Sequence, residues 1–211
     1  MGLPFGLYSP MIHVVKSTQI TVNDIPVVQF TNQKEWMDWL DKNHANQSGI
    51  WLRLAKKASE IKSVTYAEAL EAALCYGWID SQKKSFDDFS WLQKFTPRGA
   101  KSIWSKVNKK KAQELIKSGR MKAAGLTAIE NAKQNGRWDG AYDSPGGATV
   151  PRDFQAELNR NAKAKAFFAT LNNQNRYAIL FRIQTARKEE TRARRIKQFI
   201  AMLEKNEKLY P

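Results

Sequence analysis

The sequence predicts an α+β fold: a mainly antiparallel sheet with flanking helices, followed by a C-terminal helical subdomain. Two observations carry that expectation. Alternating and β-branched apolar segments stop at Pro97, and the apolar residues beyond it recur at helical spacing. Charge divides at nearly the same place: residues 1–91 hold nine Lys or Arg against ten Asp or Glu, and residues 92–211 hold 26 against ten.

Residues 1–18 read as a loose lead-in, broken by Pro4, Gly6 and Pro10, with neither the basic start nor the small-residue cleavage site of a secretory signal. Residues 19–100 form the expected α+β unit. Gln19–Phe30 has the pattern of a short hairpin turning at Asn23-Asp24, with Pro26 confining it to an edge. Thr31 or Asn32 then caps a helix carrying Trp36, Met37, Trp39 and Leu40, and Asn32-x-x-Glu35 has capping-box spacing. His44 follows the last turn, where positive charge suits the helix dipole. Gly49–Lys57 alternates, with Ile50, Leu52 and Leu54 on one face and Trp51, Arg53 and Ala55 on the other: a half-buried strand. Thr65-x-x-Glu68 is a second capping box, opening a helix whose stripe includes Tyr66, Ala69, Leu70, Ala73 and Leu74 and which Gly77 stops. Trp78–Lys84 and Phe89–Thr96 complete the sheet as a hairpin, with Phe89, Trp91, Gln93 and Phe95 on one face.

Beyond Pro97 the expected elements are helical. Residues 101–135 form a helical pair packed on the sheet unit, Ser102–Ser118 and Met121–Gln134, ending at Gly119 and Gly136. Residues 136–150 are a Gly-rich loop with the composition of a mobile connector. Residues 151–211 start with Pro151 in a first helical turn and carry enough spaced Phe, Leu and Ile for a small bundle.

Composition narrows the function classes. Hydrophobic residues make up 42% of 211, sufficient for a packed core. The chain has one cysteine, so it forms no intrachain disulfide, and a reducing, cytoplasmic setting is expected. No apolar run reaches membrane-spanning length. No metal or cofactor motif is present, and no feature specifies an oligomeric state. The net charge of +15 points to acidic partners: an anionic small molecule or, alternatively, nucleic acid. Against both stands an ordinary solvated, Lys-rich helical surface.

Five motifs occur in order: Cys75-Tyr-Gly-Trp-Ile-Asp-Ser81, Phe95-Thr-Pro-Arg98, Ser102-Ile-Trp-Ser-x-x-Asn108, Gly119-Arg-Met-x-x-Ala-Gly125 and Glu190-Thr-Arg-x-x-Arg-Ile196. Together they resemble the YdeI/OmpD-associated (bacteriocin-protection) family, from about Gln29 to about Leu203. The resemblance implies a link to stress and antimicrobial-peptide resistance, and it brings no established catalytic residue.

The candidate site residues come from chemistry at these motifs. Asp80, in a strand that follows a helix, needs a partner if buried, and Arg98 at the end of the neighbouring strand can supply a bidentate one. Trp78 could plug the sheet or line a pocket beside Asp80. Arg98, Lys101 and a helix start at Ser102 could hold an anion, although the spacing is not that of a phosphate-binding P-loop. Trp104 and Asn108 would share a helix face there. Arg192 and Arg195 share another and could track phosphates. The expected ligand-binding set is therefore Trp78, Asp80, Arg98, Ser102, Trp104, Asn108, Arg192 and Arg195, in a cleft between the sheet end and the basic helices. An enzyme built on the Asp80/Arg98 region is a further alternative. Cys75 has the wrong helix end for an activated thiol and reads as a packed core residue.

Overall fold

Asn23 and Asp24 adopt φ of 50° and 60°, the left-handed pair that a tight two-residue hairpin requires. Strand β1 (Thr21–Val22) consequently folds back on β2 (Ile25–Val28). This computed structural model describes residues 20–211; the expected lead-in of residues 1–18 lies outside the described residues. Helix α1 (Gln33–Asn43) follows, then β3 (Ile50–Ala55), α2 (Tyr66–Cys75), β4 (Trp78–Ser85) and β5 (Ser90–Pro97). The sheet order is β1-β2-β3-β5-β4, antiparallel except where β2 runs parallel to β3. Pro26 therefore sits one strand in from the edge, opposite Thr21 of β1 and just ahead of Val27, where the pairing of β2 with β3 begins. The fold class is the expected α+β with C-terminal helices.

Both predicted caps form. Asn32 accepts the Glu35 amide, while the Glu35 carboxylate reaches back to the Thr31 amide and hydroxyl at 2.8 and 2.6 Å. Thr65 and Glu68 make the full reciprocal box. The first core gathers Trp36 and Leu40 of α1, Leu70 and Leu74 of α2, Ile50, Leu52 and Leu54 of β3 and Phe95 of β5, all buried. Trp51 on the opposite face of β3 is buried as well, with its indole N–H on the Val22 carbonyl, so this strand is covered more fully than its alternation implies. Phe89 lies outside β5 and is exposed.

Helices α3 (Lys106–Lys117) and α4 (Ala123–Gln134) join the same core through Ala112, Leu115, Ile129 and Ala132. The cap of α3 is Ser105, which accepts the Asn108 amide, and not the expected Ser102. Ser102 instead closes a turn with Gly99, accepting its amide at 3.1 Å and donating its own to the Gly99 carbonyl. The helix starts late because residues 104–105 are held extended by the loop that returns after α4. Ser105 bridges Tyr142, the Tyr142 amide donates to the Trp104 carbonyl, and the Lys106 amide donates to the Tyr142 carbonyl. That loop is thus tied down on both sides rather than free-running, and its Trp138 is buried against Trp104.

A 3-10 turn at Pro145–Gly147 leads to α5 (Arg152–Arg160), α6 (Ala162–Thr170), α7 (Asn173–Gln184) and α8 (Glu189–Glu204). Their apolar faces meet in a second core around Phe154, Leu158, Phe168, Ile179, Ile183 and Leu203. The two cores communicate through the loop: Tyr142 packs edge-on against Phe181, and Asp143 binds Gln184, Lys106 and, through its carbonyl, the Tyr177 hydroxyl. Among the described residues no helix is long and apolar enough to cross a membrane.

Candidate functional site

The elbow at Gly77 sets the site's position. Gly77 turns the chain from α2 into β4 at φ +72°, and a Cβ there would stand 2.8 Å from the Ala124 carbonyl of α4. Four dozen residues on, Gly125 answers it: its own Cβ would come within 2.4 Å of the Cys75 carbonyl. Two missing side chains let α4 lie directly on the end of α2. The Lys122 amide donates to that same Cys75 carbonyl. The start of β4 therefore carries α4 with it, and the Arg98 amide, bonded to the Gly77 carbonyl, ties the end of β5 to the same elbow.

Arg98 is the chemically unusual residue here. Its guanidinium lies flat over the Trp104 ring, 3.5 Å from the centroid, and Nη1 donates to the Ile103 carbonyl at 3.2 Å. Nε and Nη2 are shut away from solvent without a hydrogen-bond partner. Burial pulls its pKa down to about 10, while the nearby Tyr142 and Asp80 favour the charged form. Asp80 does not close an ion pair with it. The Asp80 carboxylate accepts the Tyr66 hydroxyl at 2.7 Å instead, just before a bulge in β4 between Asp80 and Lys83. Burial first, and then that bond, push the Tyr66 hydroxyl well above its ordinary range. Tyr142 is also raised, by burial and by the Asp80 charge. Tyr66, Asp80, Arg98 and Tyr142 thus form one electrostatically linked cluster, of which sequence reasoning found two members.

Beside Arg98 lies a cavity of about 440 Å³. Gly99, Ala100, Ser102 and Trp104 line it from the turn after β5; Ala128, Asn131, Ala132, Gln134 and Asn135 line it from α4. Apart from Arg98 the lining is uncharged. A Cβ on Gly99 would meet nothing within 4 Å, so the turn itself is uncrowded.

The remaining expected residues go elsewhere. Trp78 is buried in the first core, its indole N–H on the His44 carbonyl and its ring edge-on to Trp36 and Trp39. Its role is that of a plug. Asn108 sits in the first turn of α3, and Trp104 precedes that helix, so the two do not share a helix face. Arg192 and Arg195 belong to the second core's surroundings. Arg192 grips Asp153 with two nitrogens at 2.5 and 2.8 Å and donates to the Ile183 carbonyl; Arg195 donates to the Arg182 carbonyl. Those carbonyls are at the C-terminal end of α7, where backbone acceptors lack helical partners and cations are favoured. Arg192 lines a separate groove between α5 and α8 with Asp153 and Ile196. The single cleft expected from sequence is therefore divided: Arg98, Ser102 and Trp104 meet at one cavity, and Arg192 lies at another.

Cys75 is fully buried, and burial pushes its thiol up, away from nucleophilic use. Among the described residues no group of His, Cys, Asp and Glu converges to hold a metal. The residues that sequence reasoning missed are Tyr66, Asn131, Gln134 and Tyr142. Asn131 and Asn135, four apart beside Ala128 and Ala132, were the legible signal: a polar pair on the small-residue face of a helix.

Two family models match the chain. Residues 28–128 match a domain of unknown function (DUF8412), and residues 147–206 match the family described as bacteriocin-protection, YdeI or OmpD-associated. No curated protein and no solved structure matches it. Four of the five motifs quoted above fall in the first segment and the fifth in the second. The interval between the segments holds the end of α4 and the loop that pins Trp104. The similarity to the bacteriocin-protection, YdeI or OmpD-associated family thus lies in residues 147–206, the helices that enclose the second core.

Proposed function

We propose that this protein binds a small anion in the cavity between the Arg98 turn and α4. One observation carries the reading: a guanidinium held flat on Trp104, with two nitrogens unpartnered, at the border of a cavity whose other lining residues are neutral. The Arg98 charge borders the cavity and draws an anionic oxygen to it; Nε and Nη2 are closed to solvent in the empty protein, and each donor that a ligand uncovers and satisfies recovers about 1–3 kcal/mol. Arg98 is pre-oriented by its stack and needs little ordering when a ligand arrives. A single, buried cysteine fits a reducing compartment such as the cytoplasm. The family description supplies no residue and no ligand, so the proposal stands on the Arg98 geometry.

Thermal unfolding with and without inorganic phosphate tests it. A ligand at ten times its Kd stabilises by about 1.4 kcal/mol, a rise in Tm that is readily measured. Arg98→Ala should abolish the rise, and Arg98→Lys, which keeps charge but loses the planar stack, should retain a fraction. Lys101→Ala, which removes an exposed charge outside the cavity lining, should retain most of it. An equal rise in wild type and Arg98→Ala would show that phosphate acts through the solvent or another surface, and would end the proposal.

A further inference from the structure

We infer that the anion taken at Arg98 is hydroxylated: a sugar acid or sugar monophosphate, with one acidic group on a neutral polar body. This rests on the anion-binding reading above and adds the ligand's class. The charge count sets the first half. Arg98 is the sole cation among the lining residues, so the cavity matches one carboxylate or phosphate; a polyphosphate would bring several negative charges to a single guanidinium.

The opposite wall sets the second half. Ala128, Asn131, Ala132 and Asn135 follow one another at i, i+3, i+4 and i+7, a single face of α4 turned to the cavity, with Gln134 at its flank. The alanines leave room and the carboxamides furnish the chemistry. A carboxamide both donates and accepts, as a hydroxyl does, so the wall complements a polyol. Asn135 is already engaged: its oxygen accepts the Arg137 amide at 3.1 Å, and its nitrogen reaches the Ala100 carbonyl at 3.5 Å. Asn131 and Gln134 make no side-chain hydrogen bond among the described residues, which leaves two complete donor–acceptor pairs for a ligand. An apolar ligand body would strip water from these amides and return nothing. The volume, about 440 Å³, lies in the usual range for small-molecule sites.

Isothermal titration at constant ionic strength decides the matter. Glucose 6-phosphate is compared with inorganic phosphate, gluconate with acetate, and neutral glucose serves as the uncharged control. In wild type one or both hydroxylated anions should bind about tenfold or more tightly than the bare counterpart, the worth of one or two added hydrogen bonds. The pair that shows the larger margin identifies phosphate or carboxylate as the acidic group. The Asn131→Ala, Gln134→Ala double variant changes two exposed positions of a helix to its best former. It should erase the margin, bringing each hydroxylated anion down to the affinity of its bare counterpart. Equal binding of hydroxylated and bare anions, or a margin that survives the double variant, overturns the inference while the anion site stands. Failure of every anion to depend on Arg98 removes the anion-binding reading and this inference together.

Discussion

Arg98 and Arg192 are the same side chain in opposite circumstances. Arg192 spends its fork on Asp153 and the Ile183 carbonyl, and this fastens α5 and the end of α7 to α8. Arg98 has one protein acceptor, an indole for a floor and two idle nitrogens, while the nearby Asp80 carboxylate is bonded to Tyr66. A partnered, half-buried charge reads as architecture and an unpartnered one as a candidate site. The two units differ in the same sense: the groove between α5 and α8 is bordered by a satisfied ion pair, while the cavity between the turn after β5 and α4 is bordered by a guanidinium with idle nitrogens.

The largest test separates the cores. All seven tryptophans lie between residues 36 and 138, so their fluorescence reports on the first core alone. Phe154→Ala, at a fully buried ring packed edge-on to Phe168, should cost the helical unit about 3–5 kcal/mol by far-UV circular dichroism in urea. The fluorescence midpoint should hold. If it falls equally, the loop contacts at Tyr142 and Asp143 couple the two cores into one cooperative unit.

Gly125→Ala should cost about 1–3 kcal/mol, because the new methyl meets the rigid Cys75 carbonyl and α4 must back away from the elbow. Since α4 is a cavity wall, anion affinity should weaken in the same variant, as titration would show; unchanged affinity would detach the site from the elbow.

Asp153→Ala should cost about 0.5–1 kcal/mol, limited by the partial exposure of both partners. The Arg192 hydrogen bonds hold the Asp153 carboxyl below the usual carboxylate range. Its contribution is therefore present above an unfolded-state pKa of about 3.9 and fades as pH falls through the lower folded value. The stability gap between wild type and Asp153→Ala, measured by urea unfolding at neutral and strongly acidic pH, should close in acid. A gap that persists would mean that packing, not charge, makes the clasp.

The smallest effect lies at Arg98's neighbour. Asp80→Asn keeps an acceptor for Tyr66 while removing a negative charge that competes with any anion. Phosphate affinity should rise about two- to fivefold at low salt. A fall would identify Asp80 as a partner of the ligand rather than its rival.

Local chemistry made much of the fold legible. Capping boxes, the Asn23-Asp24 turn, the Gly77 stop and the alternation of Gly49–Lys57 each act within a few residues, and the expected strands and helices follow from them. Ser102 was misread as a cap because nothing near it announces that Tyr142, some 40 residues on, will hold Trp104 and Ser105 extended. The Arg192–Arg195 run looked like a phosphate track for a similar reason: a helix face shows where cations gather and not which carbonyls wait opposite.

The sequence by itself determined the element types, the α+β class and the motif positions, since these follow from backbone preference and periodicity. Only the tertiary structure decided that Asp80 bonds Tyr66, that Arg192 is spent on α7 and that Arg98 faces a wall of carboxamides. Those outcomes depend on which side chains compete for a partner in space. Distances between remote segments settle that competition, and no local pattern encodes them.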